Sequence, residues 1–338
     1  ALNAIKELQY VYFFFGAHVP SSNSDIKEIT EDYFSINVDP YRNMIAGKKV
    51  ANTDVSLVIK NYPYVAGRKW DMYSDSDDNL QNKQFFTIVD EGSFSHVYKC
   101  LDNNQNNIST VAPAFSDITG SNTVLYQTSD GYRWKYMYSA NSSVVNKFKT
   151  TDYFPLVANT VVSAAAITGA LDTVEIEDQG KGYNNYIYSA FSSSDIKVNG
   201  NNVLYALSAA SAPNANGYYT GCLIYLADGT GAGQYSRIVD YFSTIDGKFI
   251  VLNSAFGITP TNGTTYQITP EIIIKGDGRQ TVNATVRGLV NALASNAIYR
   301  AEVLNRGAGY SYFTANAVAN SIINVRQPAV LNPVYSPN

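Results

Sequence analysis

Three glycines follow an apolar run in a pattern that phosphate-binding loops use. They are Gly229, Gly231 and Gly233, directly after the run that ends at Leu226. Such a loop needs a helix behind it, because the free amides of the helix N-terminus hold the phosphate. Residues 234–241 instead alternate polar and apolar side chains, as a strand does. We therefore predict a glycine-rich hairpin here and no nucleotide site.

Four aspartates in residues 71–78 form an acidic cluster with a possible metal-binding chemistry. An EF-hand loop beginning at Asp75 needs a glycine where the chain has Leu80 and a glutamate where it has Phe86. We interpret the cluster as a solvated loop, with adventitious cation binding as the alternative.

Histidine and cysteine are scarce, which limits zinc and nucleophile chemistry. The chain has only His18, His96, Cys100 and Cys222, so a zinc site would use nearly all of them. Both cysteines stand in apolar runs and are expected to be buried free thiols. No Gly-x-Ser-x-Gly elbow occurs, and nothing singles out a carboxylate pair for glycoside hydrolysis. We predict no enzyme activity, no metal and no cofactor.

The composition favours a soluble, weakly charged protein. Charged residues make up 15% of the 338 residues, the net charge is −4, and 27 residues are tyrosine. This charge distribution shows no footprint for nucleic acid or an acidic membrane surface. The apolar run at residues 10–15 is too short to cross a bilayer and lacks signal-peptide flanks. We expect synthesis in a cytoplasm and no membrane insertion.

Residues 130–138 form the clearest element of the chain. Asp130 and Gly131 are a turn dipeptide, and strict alternation follows. Four aromatic side chains fall on one face of the predicted strand: Tyr132, Trp134, Tyr136 and Tyr138. This strand is expected to pair with residues 123–127 and to anchor a sheet by burying its rings.

The remaining elements are read from apolar runs and capping residues. Residues 9–15 are predicted to form a fully buried strand. Helices are predicted after Ser24, after Asp39-Pro40 through residues 44–47, and from Thr53 to Ile59. From about residue 63 to 155 the pattern is β, with a hairpin turn at residues 90–93 between two apolar runs.

The second half contains an internal repeat. Strand-like residues 174–178 lead into Gly180, Gly182 and Tyr183, and strand-like residues 301–305 lead into Gly307, Gly309 and Tyr310. The glycines permit a turn that other residues resist, and the tyrosine is expected to close it. A separate small β unit is predicted between the copies, at about residues 200–269.

Together these patterns predict a mainly β protein of layered β-sandwich domains with a few short N-terminal helices. Residues 1–157 form the first predicted domain and residues 158–329 the second, which holds the inserted unit. Residues 330–338, with two prolines, are predicted to be an extended C-terminal tail.

The first half resembles the baseplate wedge subunit of T-even-like contractile-tailed bacteriophages. The resemblance covers roughly residues 9–157, and its pieces keep the family's order. They are residues 11–16, residues 44–50, Trp70 with residues 71–73, the segment of Tyr98 and Cys100 at 97–103, and the segment of Asp130, Gly131, Tyr132 and Trp134 at 130–136. Residues 16–20 lack the basic residue and the Pro-Trp that the family often has after its early strand.

The resemblance implies a structural role in the virion, at the tail baseplate. Members of this family are β-rich, have no known active site, occur as two copies per wedge and bind other baseplate wedge proteins. A homodimer and wedge-protein partners are therefore expected, with contacts at residues 17–25, 71–83, 180–183 and 307–310. Two alternatives stay open: a carbohydrate-binding tail protein that touches the host surface, marked by clustered exposed Tyr and Trp, and a hydrolase of cell-wall polymer.

Overall fold

The computed structural model describes residues 12–16, 44–115, 125–164, 166–183, 186–190, 196–199, 202–207, 212–318 and 327–336. Strands account for 48% of the structure and helices for 8%, which confirms the mainly β fold class. The described residues fall into two compact units. The first is drawn from residues 1–62, 90–96 and 138–158, and the second from residues 63–89, 97–137 and 159–338.

The described strands have the following bounds: β1 (Tyr12–Gly16), β2 (Met44–Lys49), β3 (Val58–Lys60), β4 (Phe86–Glu91), β5 (Phe94–Asp102), β6 (Leu125–Gln127), β7 (Arg133–Asn141), β8 (Tyr153–Pro155), β9 (Leu171–Asp178), β10 (Tyr186–Ala190), β11 (Ile196–Asn199), β12 (Asn202–Leu207), β13 (Cys222–Asp228), β14 (Tyr235–Thr244), β15 (Gly247–Leu252), β16 (Thr265–Lys275), β17 (Thr285–Asn291), β18 (Ala297–Asn305), β19 (Thr314–Ala317) and β20 (Val330–Tyr335). The helices are α1 (Ser142–Phe148) and α2 (Thr160–Ala164), with 3-10 turns at Asn52–Asp54, Leu80–Asn82 and Ala292–Ala294.

These strands build one large sheet and several small ones. The large sheet has the order β11-β12-β15-β14-β13-β16-β17-β18, and β10 and β19 also pair with β16. A four-stranded sheet has the order β4-β5-β7-β6, and the pairs β1-β2, β3-β8 and β9-β20 stand as two-stranded sheets. The predicted hairpin at residues 90–93 and the predicted pairing of residues 123–127 with the aromatic strand are confirmed by β4-β5 and β6-β7.

The first unit has a small core around β3, β8 and α1. Phe154 of β8 is fully buried, and the Tyr138 hydroxyl donates to the carbonyl oxygen of Pro155 over 3.0 Å. Asn141 caps α1, because its side chain accepts the Val144 amide over 2.9 Å. His96 is 5% exposed, and its Nδ1 lies 2.6 Å from the Ser139 hydroxyl, so this histidine is a packed core residue.

Four predictions for the N-terminal region were wrong or lie outside the described residues. Met44 and Ile45, predicted to be helical, lie in β2, because pairing with β1 outweighs the local helix signal of Asp39-Pro40. The predicted helix from Thr53 is only a three-residue 3-10 turn, followed by β3. The early strand exists as β1, but it is exposed rather than buried. The helix predicted after Ser24 lies outside the described residues.

In the second unit the aromatic strand fills the core as predicted. Trp70, Tyr98, Tyr132 and Trp134 have no exposed surface. The rings of Tyr132 and Trp134 stack with centroids 5.5 Å apart, and Trp70 meets Trp134 edge-on at 6.2 Å. Such aromatic pairs stabilise the core beyond the free energy gained by burying their apolar area. The Tyr132 hydroxyl also donates to the Asn107 carbonyl oxygen over 2.5 Å, so even the polar end of this ring is used.

The Asp130-Gly131 turn is fixed by hydrogen bonds to one carboxylate. Gly131 has a φ of +86°, the left-handed region that glycine enters without strain. The Asp130 carboxylate accepts the amides of Thr110 (2.8 Å), Val111 (3.0 Å) and Tyr132 (3.2 Å) and the hydroxyls of Ser109 and Thr128. Burial raises the pKa of Asp130, but these hydrogen bonds outweigh burial and hold its pKa below the usual value.

The two Gly-x-Gly copies have the same turn. The amide of Gly180 donates to Asp178 over 2.8 Å, and the amide of Gly307 donates to Asn305 over 2.9 Å. Both glycines have a positive φ, +61° and +65°, and so does the second glycine of each copy. Each strand therefore ends in a side-chain-capped turn that only glycine enters readily.

The tyrosine of each copy closes the turn against a neighbouring segment. The Tyr183 hydroxyl accepts the Ala329 amide over 2.7 Å, and the Tyr310 hydroxyl accepts the Ala284 amide over 2.9 Å. A Cβ on Gly180 would lie 2.6 Å from that same Ala329 nitrogen, and a Cβ on Gly307 would lie 2.8 Å from the Ala284 nitrogen. The sequence repeat is thus a structural repeat. In each copy the tyrosine hydroxyl accepts a backbone amide, and the glycine leaves room for that same amide.

Two apolar clusters divide the second half. One cluster lies among β12 to β16 and includes Tyr266 and Ile268, whereas the other includes Ile272 and Ile274 from the later part of β16. The predicted inserted unit ended at residue 269, between these two pairs. Residues 330–335 of the predicted tail form β20, which pairs with β9. The proposed domain boundaries themselves stay a prediction.

A buried ionic network joins four segments of the second unit. Asp172 on β9 has no exposed side-chain surface. Both carboxylate oxygens lie 2.8 Å from Lys135 Nζ of β7, Lys99 Nζ of β5 lies at 3.2 Å, and the Arg306 guanidinium also donates. Lys135 further donates to the Ser336 hydroxyl over 2.9 Å. Burial lowers the pKa of Lys99 to about 8, and Asp172 offsets part of that effect.

We predict that Asp172→Asn destabilises the protein by about 3–5 kcal/mol, because the buried Lys99 and Lys135 and the partly exposed Arg306 then lack their carboxylate. Urea unfolding at pH 7 measures this loss. The matched control is Asp246→Asn, since Asp246 lies on an exposed turn and its replacement should change stability by less than about 0.5 kcal/mol. Equal stability of the two variants would contradict the role of the network.

A second prediction concerns acid and His96. Burial lowers the pKa of His96, although Glu91 offsets part of the effect. Because the unfolded chain protonates this histidine first, the contribution of His96 to stability is lost as pH falls below about 6.5. Unfolding measured between pH 8 and 5 should show a smaller acid loss in His96→Gln than in the wild type. His18→Gln is the control, and an unchanged profile in His96→Gln would contradict the assignment.

Candidate interaction surface

The most exposed apolar feature of the described residues is the aromatic ribbon, defined as β1 and β2. Tyr12, Phe13 and Phe15 are 57–64% exposed, and Ile45 on β2 is 74% exposed. Successive residues of a strand point to opposite faces, so the ribbon presents apolar side chains on both faces. Apolar patches of this kind on a protein surface mark sites that bind another surface.

The ribbon is also incomplete as a sheet. Within the described ranges β1 and β2 pair only with each other, in antiparallel register from Tyr12↔Lys49 to Gly16↔Met44. A two-stranded sheet is marginally stable alone in water. A partner that covers the rings of the ribbon would stabilise it.

The base of the ribbon is held in place by charge. Asp54 accepts the Ala51 amide over 3.1 Å, and its carboxylate lies 3.0 Å from both Lys48 Nζ and Lys147 Nζ. The hydrogen bond from Ala51 and the two lysines hold the pKa of Asp54 far below its usual value. Lys48 belongs to β2 and Lys147 to α1, so the ion pairs tie the ribbon to the helix of the same unit.

Beside this anchor lies an apolar groove of about 380 Å³. Its lining includes Phe13 and Phe15 of β1, Gly47 of β2, and Val50 and Val55 of the following segment. The rings of Phe13 and Phe15 meet edge-on at 5.0 Å and form one wall. The groove and the exposed rings make one continuous apolar surface on the first unit.

The residues singled out in the sequence are mostly internal. Five of them have no exposed surface: Trp70, Tyr98, Cys100, Tyr132 and Trp134. Asp130 and Gly131 fix a turn. Tyr183 and Tyr310 are 2% and 4% exposed, so their rings close turns and are not contact surface. Of the other predicted contacts, residues 17–25 lie outside the described residues. The loop at 71–83 is partly exposed, and its role in contacts stays a prediction.

The residues considered for chemistry have structural uses. The segment after Gly233 is β14, so the glycines form the predicted hairpin. Asp77 pairs with Lys83, Asp71 accepts the Gln84 amide over 2.8 Å, and Asp75 accepts the Tyr335 amide over 3.2 Å. Within the described ranges no group of three His, Cys, Asp or Glu side chains is placed to hold a metal.

Both cysteines are buried free thiols, as expected. Burial raises the pKa of Cys222 to about 12 and that of Cys100 above its usual value, so neither thiol forms a thiolate readily near neutral pH.

Sequence reasoning missed the Asp172 network and the exposure of β1. A signal for the first was present, because Lys99 and Lys135 interrupt aromatic runs and a lysine in a core strand needs a buried anion. The second had no signal, since a run of aromatic residues reads the same in a core and in an interface.

None of the helices in the described part of the chain is long and apolar enough to cross a membrane. Comparisons with protein-family models, with curated proteins and with solved structures gave no match for this chain.

Proposed function

We propose that this protein is a non-enzymatic structural component of a phage tail baseplate wedge that assembles through protein–protein contacts. In this proposal it is made in the host cytoplasm and located in the virion, at the tail baseplate. Its partners are other baseplate wedge proteins, with two copies of this chain per wedge. The proposal rests on the resemblance of residues 9–157 together with the exposure of the aromatic ribbon.

The ribbon is the observation that carries the proposal. The rings of Tyr12, Phe13 and Phe15 are 57–64% exposed, and an assembly subunit gains binding energy from covering them. Each aromatic ring that becomes buried contributes about 1.5–3 kcal/mol. Aromatic anchors of this kind dominate the energetics of protein interfaces.

The internal structure fits a rigid building block. The aromatic core, the capped turns and the Asp172 network use polar and charged groups to fix the fold of the second unit. Both carboxylate oxygens of Asp172 accept hydrogen bonds, and a hydrogen-bonded network of this kind favours one arrangement of the strands that it joins. A subunit of this kind supports changes of assembly by repacking at its surfaces, with its own sheets unchanged.

The test replaces two exposed rings of the ribbon, Phe13→Ser and Phe15→Ser together. Removing both should weaken binding to purified wedge proteins of the same phage by at least about 100-fold, since about 3–6 kcal/mol of burial is lost. Co-sedimentation measures the binding. The stability of the isolated protein should change little, because both rings are exposed in the free chain.

The matched control is Leu293→Ser, which removes a side chain that is 98% exposed in the second unit. This variant should bind wedge proteins like the wild type. Wild-type binding by the Phe13→Ser, Phe15→Ser variant would remove the ribbon as the contact surface.

A further inference from the structure

The second unit contains a polar cleft of about 280 Å³, which we define by Asp71, Gln105, Asn106, Glu175, Gln179 and Tyr299 among its lining residues. Glu175 lies on β9, Tyr299 on β18, and the amides come from the loop after β5 and the end of β9. The cleft is somewhat below the usual size of small-molecule pockets, about 300–1,000 Å³. A single sugar residue or the end of a glycan matches that size.

One wall of the cleft is a loop held in an unusual conformation. Asn104, Gln105 and Asn106 have successive φ values of +50°, +59° and +64°. This conformation costs about 1–2 kcal/mol for most residues, whereas asparagine enters it more readily through local hydrogen bonds, so Gln105 is the most strained of the three. The Asn104 amide donates to Asp102 over 2.8 Å, and the Asn106 amide donates to the Asn103 side chain over 2.9 Å.

The support of this loop comes from β18. Arg300 Nε donates to Asp102 over 2.7 Å, and its Nη2 donates to the same carboxylate over 3.3 Å and to the Gly131 carbonyl oxygen over 2.5 Å. Arg300 is 9% exposed, so this pair is largely shielded from water. The Arg300 guanidinium and Asp102 thus stabilise the loop, and their charges neutralise each other where they line the cleft.

Four other polar side chains also line the cleft. Among the described residues, the Glu175 carboxylate, the Gln105 and Gln179 amides and the Tyr299 hydroxyl receive no hydrogen bond from protein. Each is available to a ligand, and each belongs to a residue placed on a strand or a braced loop. Carboxylates accept from hydroxyls, carboxamides both donate and accept, and a tyrosine ring with the neighbouring Met72 offers an apolar surface.

The charges of the cleft select the type of ligand. Arg300 is paired with Asp102, and Lys83 is paired with Asp77, so the positive charges at the cleft already have partners. Asp71 and Glu175 then leave an excess of acceptors, which favours hydroxyl donors and disfavours anions.

We propose that this cleft binds a neutral hexose residue, free or at the end of a glycan. This inference goes beyond the structural role and uses a different unit from the aromatic ribbon. The sequence analysis expected a sugar site to be marked by clustered exposed Tyr and Trp. This cleft is different, because both tryptophans of the chain are buried. The acceptor groups of the cleft, rather than an exposed aromatic face, provide the recognition.

The experiment is a calorimetric and saturation-transfer NMR titration of the intact protein with the methyl glycosides of glucose, galactose, mannose, N-acetylglucosamine and glucuronic acid. At least one neutral glycoside should bind, and the glucuronide should bind at least tenfold more weakly or not at all. Absence of binding by every neutral glycoside, or tighter binding of the glucuronide, overturns the proposal.

Two variants place the binding in the cleft. Glu175→Ala should weaken the binding of the neutral glycoside by about 10-fold to 100-fold, because a charge-assisted hydrogen bond is lost. Glu177→Ala, on the exposed continuation of the same strand, should leave binding unchanged. Thermal unfolding confirms that both variants are folded. Unchanged sugar binding in folded Glu175→Ala, or equal weakening in both variants, overturns the assignment to this cleft.

Discussion

The Asp172 carboxylate is the interaction on which the arrangement of the second unit depends. It has no contact with solvent, and cationic side chains from β5, β7 and the segment after β18 converge on it. Burial alone would raise the pKa of Asp172, but Lys99, Lys135 and Arg306 outweigh that effect and hold its pKa below the usual value. Three cations around one anion leave an excess of positive charge. Burial is the main reason that the pKa of Lys99 is lowered to about 8 in this network.

The two faces of β7 make different kinds of contact. One face carries Tyr132 and Trp134 into the aromatic core, and the other carries Lys135 to Asp172 and Ser336. Breaking the network would therefore disturb β9, β20 and the aromatic strand together. The capped Gly-x-Gly-Tyr turns act at the ends of β9 and β18, so both strands that approach Asp172 have a fixed end.

Local patterns predicted the parts of this fold that depend on neighbours in sequence. The hairpins at residues 90–93, 128–131 and 229–233 follow from turn residues and alternation, and the tyrosine closures follow from the Gly-x-Gly repeat. Lys99 and Lys135 indicated that a buried anion lies nearby, but the sequence could not identify Asp172, because it is 37 to 134 residues away from its partners along the chain. The pairing of β1 with β2 also joins residues that are far apart along the chain. The local helix signal near β2 therefore led to a wrong prediction. The exposure of the ribbon could not be predicted from the sequence either, because burial depends on which other segments pack against a strand.

The proposed role follows from the contrast between the two kinds of aromatic strand. The rings of Tyr132 and Trp134 are fully buried, whereas those of Tyr12, Phe13 and Phe15 in the ribbon are 57–64% exposed. The most direct measurement of the proposed role is electron microscopy, at a resolution that traces side chains, of phage tails assembled in the presence of this protein. The account predicts density for this protein in the baseplate wedge, with Phe13 and Phe15 covered by a neighbouring subunit. Assembled tails that lack the protein would contradict it.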